Sequence, residues 1–125
     1  MEIISSEKVP AAVGPYSSAV KAGKTLYISG QLPIDVKTGS MPETVAEQTA
    51  QSLSNMKALL ESAGGSLSDV VKTTVLLADI KDFGEMNDVY GKTFLAPYPA
   101  RSAFEVGALP KGAKVEIECV AVLNS

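Results

Sequence analysis

Two stretches with helical periodicity are separated by strand-like runs, and this order limits the folds that the chain can adopt. Thr44 and Glu47 have the spacing of a capping box, which predicts the start of a helix, and the pair Gly64-Gly65 predicts its end. Between these signals, core-type side chains recur every three or four residues and predict one buried helix face: Val45, Thr49, Leu53, Met56, Leu60 and Ala63.

A second helix is predicted further along the chain, because side chains of the same kind recur there at similar spacing. These side chains are Phe83, Met86, Tyr90 and Phe94, and Pro97 follows them. Tyr90 is interpreted as part of the buried face of this helix rather than as a site residue.

Strand-like runs surround the two helices. SSAVKAGKTLYISG, residues 17–30, predicts two short strands joined by a glycine-containing turn. Residues 69–80 are β-branched and continuous enough for a buried strand. PARSAFEV, residues 99–106, and KVEIECVAVL, residues 114–123, both show the alternation of a strand.

These elements predict a single α+β domain over residues 1–125, a two-layer sandwich whose helices cover one face of a sheet. In the last strand, Cys119 faces the helices and is expected in the core, while Val120 and Val122 share the other face with the glutamates. Apolar side chains on that uncovered face predict that a second subunit buries it, in a cyclic oligomer.

The charge balance and the cysteine count exclude several classes of function. The formal net charge is −3 and no basic cluster occurs, so the electrostatic footprint of a nucleic-acid binder is missing. No run approaches the roughly 20 apolar residues that cross a bilayer, and the N-terminus lacks the apolar core of a secretory signal. One cysteine cannot form an internal disulfide. We therefore expect a cytoplasmic protein that binds neither nucleic acid nor membranes.

Histidine is absent from the 125 residues, and this restricts the chemistry further. Ser-His-Asp and Cys-His catalysis and histidine-based zinc sites are excluded, and a single cysteine cannot form a thiolate zinc site. We expect no metal and no cofactor, and a reaction carried by arginine, carboxylates, backbone groups and water.

Arg101, near the start of PARSAFEV, is the first candidate for such chemistry. It shares one strand face with Ala103, and we expect this to be the face without helices, where Glu118 also lies. A guanidinium can hold a carboxylate with two parallel hydrogen bonds, and a partly desolvated glutamate with a raised pKa can transfer a proton. The alternative is a structural ion pair, which is commoner than an active site. Glu116 is interpreted as solvated or paired.

Five segments together resemble the RidA (YjgF) family of reactive-intermediate deaminases. They are GPYS at 14–17, ISGQLP at 28–33, the Asn-to-Tyr segment at 87–90, PARSAFEV at 99–106 and LPKGAKVEIE at 109–118. Each segment is weak evidence alone, but the combination is specific and the resemblance covers nearly the whole chain.

The resemblance implies a chorismate-mutase-like fold, with a mixed six-stranded sheet and two helices on one face. It also implies a homotrimer with active sites in the clefts between subunits, which hydrolyse enamine and imine acids such as 2-aminoacrylate to 2-keto acids and ammonia. The last strand would lie inside the sheet and residues 99–106 at its edge, so Arg101 and Glu118 would meet from neighbouring subunits.

The resemblance also implies a role for each site residue. Arg101 would hold the substrate carboxylate, and Glu118 would orient or activate the attacking water. The remaining substrate-binding residues that it implies are Tyr16, Ser29, Gly30 and Asn87. Each of these has a structural alternative, as a loop anchor (Tyr16), a strand end (Ser29 and Gly30) or a polar helix residue bonded to a loop (Asn87).

One position departs from the family pattern. Many relatives carry cysteine two residues after the arginine, where this chain has Ala103. A thiol role is therefore excluded at this position, although the backbone N–H of Ala103 can still bind a carboxylate oxygen.

Two other functions compete with the deaminase. A non-catalytic trimer could bind a small carboxylate metabolite with Arg101 alone and act as a regulator or chaperone. An RNA-cleaving activity, attached to some relatives, is disfavoured by the acidic balance and the absence of histidine. The preferred substrate side chain does not follow from the sequence.

Overall fold

Six strands form one mixed sheet in the computed structural model, which describes residues 1–124. The strands are β1 (Glu2–Ile4), β2 (Ala19–Ala22), β3 (Thr25–Gln31), β4 (Val70–Leu77), β5 (Ala100–Glu105) and β6 (Val115–Val122). Their order across the sheet is β1-β2-β3-β6-β4-β5, and only β4 and β5 pair in parallel. The expected mixed sheet, with the last strand inside it and PARSAFEV at its edge, is confirmed. β1 is the strand that the sequence patterns did not place.

Two helices connect these strands, α1 (Val45–Ser62) between β3 and β4 and α2 (Phe83–Thr93) between β4 and β5. The predicted N-cap at Thr44 is confirmed, since its Oγ1 accepts from the backbone N–H of Glu47 at 3.1 Å. The reciprocal bond differs from that of a capping box, because the Glu47 carboxylate accepts from the Thr44 hydroxyl, at 2.9 Å, rather than from the Thr44 backbone N–H. Gly64 takes a φ of +84° after the helix, a conformation that favours glycine. Parallel β4 and β5 require a crossover connection, and α2 provides it.

Both helices pack on one face of the sheet, as predicted. The side chains of β6 alternate, and Val115, Ile117, Cys119 and Ala121 are buried. The expected core position of Cys119 is confirmed. The buried stripe of α1 contains Leu53, Met56, Leu59 and Leu60, all at most 1% exposed.

The opposite face of the sheet carries large apolar side chains that remain exposed in the single chain. Tyr27 is 49% exposed, Phe104 47% and Val122 44%. Tyr27 and Val122 lie on the neighbouring strands β3 and β6, and exposed apolar patches of this kind mark interaction surfaces. Within residues 1–124, no helix is long and apolar enough to cross a membrane.

Candidate active site

Arg101 does not lie on the face where the sequence analysis expected it. In the parallel pairing of β4 with β5, Arg101 lies opposite Thr73, which is fully buried on the helix side. Thr74 lies opposite both Ser102 and Glu118, so Ser102 shares the face of Glu118. The expectation was wrong because strand alternation shows which residues share a face but not which face that is. An intrachain ion pair between Arg101 and Glu118 is therefore excluded.

Arg101 is the only arginine of the chain, and α2 surrounds its guanidinium with three side chains. Nη1 donates to Oδ1 of Asn87 at 2.7 Å. The guanidinium carbon lies 4.7 Å from the ring centroid of Tyr90 and 5.4 Å from that of Phe83, within the range of cation–π attraction. Because a guanidinium has five N–H donors, the hydrogen bond to Asn87 leaves several donors for a ligand.

The guanidinium borders a groove of about 460 Å³ at the edge of the sheet. The groove is lined by Asn87, Tyr90, Gly91, Tyr98, Pro99 and Arg101. Ala103 lies two residues further along β5, on the same side as Arg101, and packs against the core. Asn87 and Arg101 are thus brought together, while a contact from the N–H of Ala103 to a ligand remains a prediction. Tyr90 is 4% exposed, so its predicted core position is confirmed, although its ring also touches the guanidinium.

A second group of predicted site residues lies at β3. Tyr16 and Gly30 line a common cavity of about 370 Å³. Tyr16 is 54% exposed there, so it does not act as a buried loop anchor. The hydroxyl of Ser29 donates to the carbonyl oxygen of Ser17 at 2.6 Å, and its backbone N–H donates to Ser18 at 2.9 Å. These bonds hold the loop of Tyr16 against β3.

Glu116 joins this second group, and the sequence analysis did not select it. A Cβ atom on Gly30 would lie 2.5 Å from Oε2 of Glu116 and 2.9 Å from its Cδ, so the glutamate side chain lies across the glycine. Burial, and then the negative charge of Glu118, raise the pKa of Glu116 above its ordinary value of 4.5. The sequence signal for this contact is Gly30 itself, since a glycine within a strand often marks a close approach.

Glu118 is exposed and lies one strand repeat from Glu116 on the same face of β6. Its negative charge contributes to the raised pKa of Glu116. The requirement set out for a proton-transferring carboxylate, partial desolvation with a raised pKa, is therefore met by Glu116 in the single chain.

The two groups of site residues cannot meet within one chain. β6 and β4 lie between β3, which carries Gly30, and β5, which carries Arg101. At about 4.8 Å per strand spacing, Gly30 lies roughly 14 Å from β5, and Glu116, on β6, lies roughly 10 Å from it. Both also lie on the face opposite to that of Arg101. One chain therefore presents a cationic half-site at the helix-side edge and an acidic half-site on the uncovered face.

A six-stranded mixed sheet with both helices on one face places the chain among two-layer α+β proteins. Within this class, the family model described as "Endoribonuclease L-PSP", which is that of the RidA/YjgF family, matches residues 6–123. The chain belongs to this family, and the resemblance seen in its motifs is confirmed.

Relatives and solved structures agree with this assignment. The chain is 53% identical to the 2-iminobutanoate/2-iminopropanoate deaminase of Bos taurus, over 97% of this chain and 89% of that protein. The crystal structure of RidA from an Antarctic Psychrobacter matches with a TM-score of 0.95 at 50% identity, covering 98% of this chain and all of the other. The crystal structure of E. coli TdcF with bound serine matches with a TM-score of 0.94 at 42% identity and 98% coverage of both chains.

The contact between Glu116 and Gly30 predicts the effect of a single added methyl group. In Gly30→Ala, the new Cβ atom would occupy the position of the Glu116 carboxylate, whose flexible end would swing into solvent. We expect the pKa of Glu116 to fall back towards 4.5, as followed by carboxyl NMR titration. Unfolding free energy should change by no more than about 1 kcal/mol.

Gly107→Ala is the matched control, since nothing lies within 4 Å of a Cβ at that position. An unchanged Glu116 titration in Gly30→Ala would mean that the glycine contact does not hold the carboxylate.

Proposed function

We propose that this protein hydrolyses reactive 2-enamino and 2-imino acids to 2-keto acids and ammonia, in clefts between the subunits of a homotrimer. The observation that carries the proposal is the pair of half-sites, a guanidinium with free donors and a partly desolvated glutamate, in a chain about half identical to a named imine deaminase over nearly its full length. The function expected from the sequence agrees with the names of these relatives.

The separation of the half-sites and the exposed sheet face support the homotrimer. Two copies that bury Tyr27, Phe104 and Val122 bring the uncovered face of one chain towards its neighbour. In a ring, each protomer uses two different surfaces, here its β5 edge and its Glu116 face, so the contacts are heterologous. The β5 edge of one protomer then meets the Glu116 face of the next, and a ring of three protomers contains three identical clefts.

The cationic half-site supplies substrate binding. The fork of Arg101 takes the two oxygens of the substrate carboxylate, and the N–H of Ala103 adds a third donor. The imine carbon of a 2-imino acid is bonded directly to this carboxylate, so binding the carboxylate also positions the reacting atom.

The acidic half-site supplies proton transfer. An enamine first tautomerises to the imine, and a water oxygen then attacks the imine carbon while Glu116 accepts a proton from the water. Glu116 returns this proton to the nitrogen, which gives a neutral carbinolamine. A second proton then passes from the carbinolamine hydroxyl to the nitrogen through Glu116, the carbon–nitrogen bond breaks as the carbon–oxygen double bond forms, and ammonia leaves a 2-keto acid. Tyr16, Ser29 and Gly30 form the wall beside the attacked carbon.

Glu118 has a supporting role in this scheme. Its negative charge helps to raise the pKa of Glu116, which brings that carboxyl closer to the pH at which proton transfer is efficient. The family resemblance implies the water-activating role for Glu118 instead, and experiment separates the two assignments as follows.

The reaction needs modest help, because imines hydrolyse readily in water. Positioning and one proton-transfer group are therefore sufficient without a cofactor. We place the reaction in the cytoplasm, where a free buried thiol such as Cys119 persists in reduced form.

A non-catalytic role as a small-carboxylate-binding protein is the second candidate. The observation that favours it is the solved relative with bound serine, since serine carries the α-carboxylate that suits the Arg101 half-site. The description of the family model names an endoribonuclease. RNA cleavage is disfavoured for this chain, because the chain has no histidine and no basic cluster that would bind RNA.

The two candidates are separated by an imine-trapping assay. An amino-acid oxidase generates 2-iminobutyrate in the presence of semicarbazide, and hydrolysis by the added protein lowers semicarbazone formation. We expect wild type to accelerate hydrolysis and Arg101→Ala to lower kcat/KM by about 100-fold, because hydrogen bonds to a charged group are lost. Arg101→Lys should recover part of this loss. Wild type that binds 2-oxobutyrate without accelerating hydrolysis would establish the binding protein instead.

The roles of the two glutamates are separated by pH profiles of the amide variants. Glu116→Gln should lower kcat by about 100-fold or more, because the proton acceptor is lost. Activity of wild type should fall as the pH drops through the raised pKa of Glu116. Glu118→Gln removes the charge that helps to raise this pKa, so its profile should keep its height and shift its acid limb to lower pH. The reverse pattern, with Glu118→Gln inactive and Glu116→Gln active, would assign proton transfer to Glu118.

The shared cleft predicts complementation between two inactive variants. When Arg101→Ala and Glu116→Gln are mixed in equal amounts, dissociated and reassembled, about a quarter of the clefts should receive both intact side chains, one from each protomer. Activity should therefore return to about a quarter of wild type. Arg101→Ala mixed with the Arg101→Ala/Glu116→Gln double variant is the control and should stay inactive. Mixed particles that form, as seen by native mass spectrometry, yet stay inactive would contradict an intersubunit site.

A further inference from the structure

The guanidinium of Arg101 is held by groups that carry no charge. Phe83, Asn87 and Tyr90 follow one another at intervals of four and three residues along α2, so they share one helix face. The guanidinium contacts the ring of Phe83, the side-chain amide of Asn87 and the ring of Tyr90, at the distances given above. We call these three side chains the α2 clamp.

Neutral partners have a different consequence from a carboxylate partner. A carboxylate at the position of Asn87 would form a bidentate ion pair and occupy the guanidinium fork. An amide oxygen orients one nitrogen of the guanidinium but leaves its positive charge uncompensated. The π faces of Phe83 and Tyr90 offset part of the desolvation of the cation without adding a negative charge.

The clamp is itself anchored in the core. The hydroxyl groups of Tyr90 and Thr73 form a hydrogen bond of 2.7 Å, and Thr73 is fully buried. Tyr90 also packs against Phe94 with ring centroids 4.7 Å apart. Burial raises the pKa of Tyr90, so the phenol stays neutral beneath the cation. Because Thr73 lies opposite Arg101 in the pairing of β4 with β5, the ring is tied to the strand position next to the arginine.

We infer that Phe83, Asn87 and Tyr90 are positioning residues, which hold Arg101 in its ligand-binding orientation while keeping its positive charge available for the substrate carboxylate. The inference rests on the proposed function for the identity of the ligand. It reassigns Asn87 from a direct substrate contact to a residue that acts through Arg101, and it gives two aromatic residues of the core stripe a role in binding.

The test compares Asn87→Asp with Asn87→Ala, using calorimetry with 2-oxobutyrate. Asn87→Asp keeps the shape and the hydrogen bond but adds a charge, so it should weaken binding by about tenfold or more through competition for the fork. Asn87→Ala loses one hydrogen bond and should weaken binding less, by about threefold. Lys92→Gln is the charge-matched control, since it changes the net charge equally at an exposed position of α2, and it should bind like wild type. A purely structural role for Asn87 predicts the opposite order, with aspartate milder than alanine, and this order would overturn the inference.

The aromatic part of the clamp is tested with Phe83→Leu, because the half-buried Phe83 can be replaced with less risk to folding than Tyr90. Loss of one π face should weaken 2-oxobutyrate binding by about three- to tenfold and raise KM for 2-iminobutyrate equally, with kcat little changed. A ligand-free readout exists because Arg101 is the only arginine: its Nε–H resonance should be shifted by the ring currents in wild type and less shifted in Phe83→Leu. An unchanged resonance together with unchanged binding would overturn the clamp.

These outcomes distinguish the clamp from the proposed function. If wild type hydrolyses 2-iminobutyrate and both Phe83→Leu and Asn87→Asp bind 2-oxobutyrate as tightly as wild type, the clamp is overturned and the proposed deaminase function stands. If wild type binds 2-oxobutyrate without hydrolysing 2-iminobutyrate, and both variants bind 2-oxobutyrate more weakly, the clamp is supported and the proposed deaminase function is overturned. Wild type that neither binds 2-oxobutyrate nor hydrolyses 2-iminobutyrate overturns both.

Discussion

The pairing of β6 between β3 and β4 is the constraint on which the rest of the structure depends. The buried alternate residues of β6 carry the helix layer, while Glu116 and Glu118 point to the other face. β5 follows β4 in parallel register, so the same pairings decide the face of Arg101. A slip of one residue in β6 would turn Glu116 into the core, because side chains alternate with a period of two.

Local patterns in the sequence predicted the helices and most strands, whereas the positions of the candidate site residues depend on pairings between distant strands. The cap at Thr44 and the stripes of both helices depend on residues three or four apart, so they could be predicted directly. β1 spans three residues, too few to show a period. The face of Arg101 depends on the register of an edge strand against β4, which its own alternation does not contain. The importance of Glu116 depends on its side chain lying over Gly30, and only the antiparallel pairing of β3 with β6 brings these residues together.

The desolvation of Glu116 has a thermodynamic consequence for the fold. A carboxyl whose pKa is raised in the folded state binds its proton more tightly there than in the unfolded chain. Its ionisation therefore destabilises the fold, and this effect develops as the pH rises from the ordinary value of 4.5 through the raised pKa. The Glu116 side chain is only half-buried, so solvent screening reduces this cost. The same imbalance makes the carboxylate a better proton acceptor, so stability and reactivity are opposed at this residue.

The separation of the two half-sites explains how opposite charges can stay reactive in a small protein. An arginine and a glutamate that share one strand face tend to neutralise each other, and such a pair neither binds an external carboxylate well nor accepts a proton near neutral pH. Here the sheet itself lies between Arg101 and Glu116, and neutral side chains of α2 hold the cation instead. In the proposed trimer, a substrate enters between a cation and a carboxylate that belong to different chains, and its own negative carboxylate and electrophilic imine carbon complement both. In that proposal, assembly brings together two charges that a single chain keeps apart.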